Sequence, residues 1–256
     1  MILFDKIIFG PIHSRRLGLS LGINLLPVDA KICSFDCLYC ECGFNTTMQE
    51  SVIPSRLDVY TMLKAKLQEM QEAGQIPDVI TFAGNGEPTL HTEFEGIIDD
   101  TIELRNLYCP TAKVSVLSNS TRIHKPAVFC ALKKVDNNIL KFDSAFDQTL
   151  QIIDRPTGKH INVAWLIEQL KRFEGKLIIQ TMFLRGEYNG EEFDNTTDAE
   201  VNAWLKALEE IKPQQVMIYT IDRETPAHHL EKITEEELNA IAEKVEGHGY
   251  EVTVSI

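Results

Sequence analysis

The sequence predicts an α/β fold, an open, partial (β/α)6 barrel of the TIM-like kind. Short β-rich apolar runs alternate with longer segments of helical periodicity, which is the pattern of parallel βαβ units. Six such units follow one another with no interdomain linker, no internal repeat and no low-complexity stretch. At 256 residues the chain is long enough to bury one full core. We therefore read residues 1–256 as a single domain: an N-terminal extension (1–18), a barrel core (19–222), and a C-terminal helix with an extra strand (223–256).

The predicted strands are residues 19–26 (LSLGINLL), 78–83 (DVITFA), 112–117 (AKVSVL), 138–142, 176–184 and 215–220, with a last one at 250–255 (YEVTVS). Between them, residues 56–73 carry Val59, Tyr60, Leu63, Leu67 and Met70 at three- and four-residue steps, the apolar stripe of a helix lying on a sheet. Residues 197–211 open with Thr197 and Glu200 at capping-box spacing and present Val201, Trp204, Leu205, Leu208 and Ile211 on one face. Thr234 and Glu237 repeat that start signal, and Gly247 and Gly249 mark the stop. Helices near 92–107, 124–132 and 161–173 complete the series. In such sheets functional groups gather at the carboxyl ends of the strands.

Apolar content of 44% and charged content of 25% are ordinary globular values. No apolar run approaches the ~18 residues a membrane span needs, and the N-terminus lacks the features of a signal peptide. The expectation is a soluble, cytoplasmic protein with no membrane partner. The net charge of −13 opposes broad attraction to nucleic acid. His13, Arg15, Arg16, Lys31, Arg56, Lys64 and Lys66 give the N-terminal quarter a basic tilt, read as scattered surface charge. The six cysteines do not form a disulfide scaffold.

Three of them, Cys33, Cys37 and Cys40, sit in K-I-C-S-F-D-C-L-Y-C, with Tyr39 directly before the last. Three thiolates at this spacing can hold three corners of a [4Fe–4S] cluster and leave the fourth iron open to a substrate or cofactor. Taken alone, they are also compatible with zinc. A second motif, Gly84-Asn85-Gly86-Glu87-Pro88-Thr89, follows the second predicted strand. Its glycines allow backbone atoms to approach a ligand closely, and Pro88 fixes the turn.

Together, C-x-x-x-C-x-aromatic-C and a G-x-G-E-P turn one βα unit later resemble the radical SAM superfamily. Shorter motifs stand at later strand ends: L-S-N-S-T at 117–121, K-F-D-S-A at 141–145, D-R-P at 154–156 and Q-T-M-F-L-R-G at 180–186. The ordered set is most similar to the wyosine-synthase-like branch of Fe–S oxidoreductases and spans most of residues 15–222. The resemblance implies a barrel of the radical SAM type. It also implies that Cys33, Cys37 and Cys40 ligate the cluster while S-adenosylmethionine (SAM) chelates the open iron. Tyr39 would pack near the adenine, and Gly84, Asn85, Gly86 and Glu87 would bind the methionine amino group, largely through backbone atoms. Ser118, Asn119 and Asp143 are candidates for its carboxylate or ribose. One electron, from a donor such as flavodoxin or ferredoxin, would cleave SAM to methionine and a 5′-deoxyadenosyl radical that takes hydrogen from a substrate. The protein would position these cofactors and exclude water and oxygen.

The chain departs from the wyosine pattern because no cysteine precedes Cys33. Cys42, Cys109 and Cys130 do not form a second ligand set by spacing; Cys109 and Cys130 read as buried apolar fillers. Wyosine synthesis loses its support, although another RNA substrate stays open. Glu87 reads as an organiser of its turn, Arg155 as an anion grip or a surface ion pair, and His228 and His229 as surface residues. Residues 186–200 carry six carboxylates and no basic residue. They read as a solvated loop whose first part stands at the rim, favouring a small-molecule or peptide substrate over a polyanion. Residues 10–18, with the paired Arg15 and Arg16, cover one end of the barrel or reach toward the substrate. The function classes are a radical SAM enzyme on an unidentified substrate, an activase installing a glycyl radical on a partner, a tRNA-modifying enzyme, or a non-catalytic metal-binding module.

Overall fold

The computed structural model describes residues 2–14, 17–46 and 51–256. Arg15 and Arg16 of the N-terminal run lie outside the described residues. Eight strands form one curled sheet, a half-barrel. In spatial order they are β1 (Ile8–Ser14), β2 (Gly18–Ile23), β3 (Val79–Phe82), β4 (Lys113–Ser118), β5 (Asn137–Lys141), β6 (Ile178–Met182), β9 (Gln215–Tyr219) and β11 (Val252–Ser255). The run from β2 to β11 is parallel throughout, and β1 pairs antiparallel with β2. This is the predicted partial barrel with its extra C-terminal strand.

Helices α1 (Arg56–Glu72), α2 (Phe94–Tyr108), α3 (Pro126–Leu132), α4 (Asp147–Ile153), α5 (Val163–Lys171), α6 (Asp198–Ile211) and α7 (Glu235–Gly247) complete the fold. Val59, Leu63, Leu67 and Met70 of α1 are buried, as their spacing predicts. Thr234 and Glu237 form a reciprocal capping box at α7. At α6 only half of the box forms. Thr197 accepts from the Glu200 amide, whereas the Glu200 side chain turns inward to the hydroxyls of Ser144 (2.8 Å) and Thr149. Burial raises that carboxyl above its ordinary value.

Three expectations are corrected. The N-terminal extension contributes strand β1, with a register shift between Phe9 and Ile12. The strand expected over 176–184 breaks at Phe183, whose amide bonds Tyr219 O (2.8 Å), and Leu184 begins another sheet. That sheet has the order β10 (Leu230–Lys232), β7 (Leu184–Tyr188), β8 (Glu191–Asp194). The acidic segment is therefore largely a hairpin and the start of α6, not a loop. Tyr188 pairs with Glu191 across Asn189 and Gly190, both at positive φ, the geometry of a two-residue turn.

Candidate functional site

The loop following β2 carries Cys33, Cys37 and Cys40 and is held by side chains inside the loop itself. Asn45 Oδ1 accepts from the Cys33 amide (3.0 Å), and its Nδ2 donates to the carbonyls of Cys33 (3.2 Å) and Phe35 (3.0 Å). Lys31, expected at the surface, is 2% exposed; it donates to Gly43 O (2.7 Å) and stands 3.6 Å from Asp36. The amides of Asp36 and Leu38 bond the carbonyls of Asp154 and Ile153 (both 2.9 Å), clipping the loop to the end of α4.

All three thiols are free, with Cys37 buried and the other two partly exposed. Burial pushes Cys33 up to about 11 and raises Cys37 as well. Cys40 is held below its ordinary value, first by a hydrogen bond from Cys42 and then by the Lys31 and Lys141 cations. Loss of the Cys33 and Cys37 protons must therefore accompany metal binding. Among the described residues, no three His, Cys, Asp or Glu side chains gather closely enough to hold a single metal ion. A cubane makes a different demand, for three thiolates around a space.

The G-x-G-E-P turn is welded to this loop. Ile32 and Gly86 form a parallel bridge, with Ile32 N donating to Asn85 O (3.0 Å) and Glu87 N to Ile32 O (3.2 Å). Gly86 is at φ +136°, and a Cβ there would stand 1.8 Å from the Ile32 carbonyl oxygen. Only glycine permits this approach. The Asn85 side chain faces the N-terminal segment, donating to Phe4 O (2.9 Å) and Pro27 O (2.8 Å) and accepting from Phe4 N (2.8 Å).

Glu87 is buried, 2% exposed, and its carboxylate is fully engaged. It accepts from Thr89 N (3.0 Å), the Thr89 hydroxyl, the Ser118 hydroxyl (2.9 Å) and Asn119 N (2.7 Å). Burial raises its pKa, and these bonds oppose the rise. The turn after β3 is thus locked to the one after β4. Asn119 in turn donates to Cys33 Sγ (3.4 Å) and Ser34 Oγ (3.0 Å).

A second cluster surrounds Cys37. The Tyr39 hydroxyl donates to Asp143, and Asp143 also accepts from Met182 N (3.0 Å). Lys141 Nζ lies 3.2 Å from Cys37 Sγ, 3.4 Å from Asp154 Oδ1 and 3.5 Å from Asp143 Oδ2, and it donates to the Tyr39 hydroxyl. The Cys37 thiol donates to Asp154 Oδ1 (3.3 Å). Burial opposes the Lys141 charge, but the surrounding acidic groups prevail and hold its pKa well above the usual lysine value. Burial, then the Asp143 charge, lifts Asp154 to about 8 against the pull of Lys141.

Tyr39, Cys40 and Gly84 border a cavity of about 340 Å³ that is also lined by Phe9, Ile12 and His13 of β1. The N-terminal strand therefore forms part of the lumen wall. A larger cleft, about 680 Å³, opens among the strands' amino ends near Asp78 and Lys113, away from the thiols. Arg155 forms the expected ion pair, with Asp36, and also stacks on two aromatic rings. Its guanidinium lies 5.0 Å from the ring centres of both Phe44 and Tyr188 and 3.5 Å from Asp36. This contact fixes the acidic hairpin beside the cysteine loop. Cys109 is buried as expected, whereas Cys130 is exposed on α3.

The structure thus brings Cys33, Cys37, Cys40, Tyr39, Gly84, Asn85, Gly86, Glu87, Ser118, Asn119 and Asp143 to one rim. Asn85, Glu87, Ser118 and Asp143 use their side chains to tie that rim together, while Tyr39 and Gly84 face the cavity. Sequence reasoning missed the roles of Asn45, Lys31, Lys141 and Asp154. The motifs K-F-D-S-A and D-R-P contain the last two, but no spacing rule joins them to Cys37.

A sequence profile of the Radical SAM superfamily matches residues 28–200. A protein described as GTPase Obg from Brachyspira hyodysenteriae is 29% identical over 240 residues, covering 91% of this chain and 32% of that one. A UPF0026 protein from Helicobacter pylori is 29% identical over 238 residues, 91% of this chain and 71% of its own length. The chain thus spans about a third of the first relative and under three quarters of the second. The crystal structure of a radical SAM methyltransferase from Sphaerobacter thermophilus superimposes with a TM-score of 0.68 at 14% identity, covering 92% of this chain and 65% of that one. At that identity the likeness is one of fold.

Proposed function

The chain belongs to the radical SAM superfamily, an enzyme class using SAM and an iron–sulfur cluster, and from that premise we propose how its residues perform the chemistry. Cys33, Cys37 and Cys40 would hold three irons of a [4Fe–4S] cluster. SAM would bind at the remaining iron, with the backbone of Gly84 and the ring of Tyr39, both lining the cavity, available to hold it. When bound, these cofactors supply one-electron cleavage of SAM to methionine and a 5′-deoxyadenosyl radical, which takes hydrogen from the substrate. Glu87, Ser118 and Asn119 fix the turns that orient SAM, and Asp143 orients Tyr39. The wall formed by Phe9 and Ile12 limits water around the reacting centre.

The observation that carries this reading is the Ile32–Gly86 bridge. It joins a loop of three free thiols to a turn whose glycines leave room for a ligand. A metal-binding module needs no such joint.

The substrate is a small molecule or a peptide. Support comes from the exposed Glu191 and Glu192 of the hairpin whose Tyr188 stacks on Arg155; beside the cysteine loop these charges would repel a polyanion. A tRNA is disfavoured on that ground. A glycyl-radical activase is the second reading, since its target is a peptide segment of a partner. The electron donor is of the flavodoxin or ferredoxin kind; among the described residues no helix is long and apolar enough to cross a membrane.

Anaerobic reconstitution followed by equilibrium SAM binding and 5′-deoxyadenosine analysis tests the proposal. SAM binding and dithionite-dependent 5′-deoxyadenosine are expected. A protein that loads iron yet binds no SAM would overturn it. Tight, salt-sensitive tRNA binding would overturn the substrate class.

A further inference from the structure

We propose that a surface face of Trp165, His124 and His160, ringed by Arg122, Lys125 and Lys159, docks an acidic electron-donor protein. The donor reduces the cluster from outside the cysteine loop. This rests on the proposed cluster at Cys33, Cys37 and Cys40.

The face is assembled from three segments. His124 stands in the turn after β4, its Nδ1 3.1 Å from Thr121 O. His160 lies in the connection after α4, and Trp165 in the first turn of α5. The three rings pack edge to face, with centres 6.2 Å apart for the two histidines and 5.6 and 5.3 Å from each to Trp165. Both histidines are exposed and Trp165 partly so. Arg122 and Lys125 stand close enough for their charges to add to burial in holding His124 below its ordinary pKa. Among the described residues, Arg122, Lys125 and Lys159 stand in no ion pair, and Arg122 Nε has no hydrogen-bond partner. Positive charge continues along α3 and α5, where Lys133 and Arg172 lie 5.5 and 4.4 Å from the Phe129 ring centre. The exposed Glu168 of α5 is paired with Lys171 (2.9 Å).

This face backs directly onto the cysteine loop. Thr121 Oγ1 lies 2.5 Å from the hydroxyl of Ser34, the residue after Cys33, and Thr157 N donates to Ser34 O (3.0 Å). Two residues before Thr121, Asn119 reaches Cys33 Sγ (3.4 Å). None of the six residues lines the 340 Å³ cavity. A substrate must enter that cavity, whereas an electron donor needs only to come close to the cluster.

Charge selects the partner. A chain of net charge −13 repels an acidic protein over most of its surface, so a local group of unpaired cations sets where and how it lands. An aromatic centre inside a charged rim is the anatomy of a small, transient interface, the kind redox encounters use. One electron passes from the reduced donor to the cluster, and no bond forms or breaks.

The test uses the anaerobically reconstituted full chain with an acidic flavodoxin, reduced to its hydroquinone, as probe. Stopped-flow absorbance reads cluster reduction, and anisotropy of labelled, oxidised flavodoxin reads binding. The parent's second-order rate constant should fall as ionic strength rises from about 0.01 to 0.15 M, where the screening length shrinks from about 30 to 8 Å. K125E/K159E should lose at least roughly tenfold in rate and affinity at low salt, and K125Q/K159Q should lose less. K64E/K232E, with the same change in charge elsewhere, should keep parental values. Reduction by dithionite and SAM binding should be parental in every variant. A parental rate in K125E/K159E, equal losses in K64E/K232E, or a salt-independent parent would overturn the inference. Should K125E/K159E fail to fold, a parental rate in K125Q/K159Q is enough to do so. Loss of tRNA binding in K125E/K159E with an unmoved flavodoxin rate would assign the face to RNA instead. A parent that assembles no iron–sulfur cluster brings this inference and the proposed function down together. A parent that loads its cluster and binds SAM while the flavodoxin rate ignores the face sinks only the inference.

Discussion

A methyl group at position 86 has no space to occupy. In Gly86→Ala the new Cβ would lie 1.8 Å from Ile32 O, 2.5 Å from Ile32 C and 2.7 Å from Leu26 Cδ1. The first two are backbone atoms that cannot rotate aside. The bridge must open, breaking Ile32 N to Asn85 O (3.0 Å) and Glu87 N to Ile32 O (3.2 Å). Each bond contributes roughly 0.5–1.5 kcal/mol. Holding alanine at this φ, +136°, costs roughly a further 1–3 kcal/mol. The sum, about 2–6 kcal/mol, corresponds to a fall in Tm of roughly 4–24 °C for a chain of this size. Calorimetry of the apoprotein reads the stability, and hydrogen exchange at the Ile32 and Glu87 amides locates the damage. A parental Tm with parental protection at both amides would refute the claim that this bridge joins cysteine loop to turn.

Glu87→Ala leaves Asn119 N and the Ser118 and Thr89 hydroxyls without their acceptor, and should cost roughly 2–4 kcal/mol in urea unfolding; an unchanged midpoint contradicts this. Glu237 is held down to about 2, chiefly by its hydrogen bond from Arg185 (2.5 Å). Its folded-state pKa is depressed, so its contribution is present above the ordinary glutamate value of 4.5 and is lost as pH falls toward about 2. Glu237→Gln should therefore flatten the acid limb of the pH–stability curve, and an identical limb would count against the pairing. Arg155→Ala removes the guanidinium between Phe44 and Tyr188; about 1 kcal/mol of stability should go, with faster amide exchange confined to β7 and β8. Uniformly faster exchange across the chain would show a different role.

The parallel strands were legible because they are buried apolar runs, and the helices because their stripes and caps follow a fixed period. Strand β1 was not, since Gly10 and Pro11 interrupt its alternation and Pro disfavours a strand assignment. The β7–β8 hairpin carries its own signal, the turn dipeptide Asn189-Gly190 between short runs, but the density of glutamates masks it. At the site, the cysteines and glycines announce themselves through local spacing. Lys141 and Asp154 do not, because they reach Cys37 across 104 and 117 residues of sequence, and only the curl of the sheet brings them together.

The central claim is an iron–sulfur cluster on three thiolates with one iron left for SAM. It is tested most directly by metal analysis and EPR of the anaerobically reduced protein before and after SAM is added. The account predicts about four irons per chain, lost on replacing Cys33, Cys37 or Cys40 by alanine, and an EPR signal that changes when SAM binds. Stoichiometric zinc, or a cluster whose signal is indifferent to saturating SAM, would contradict it.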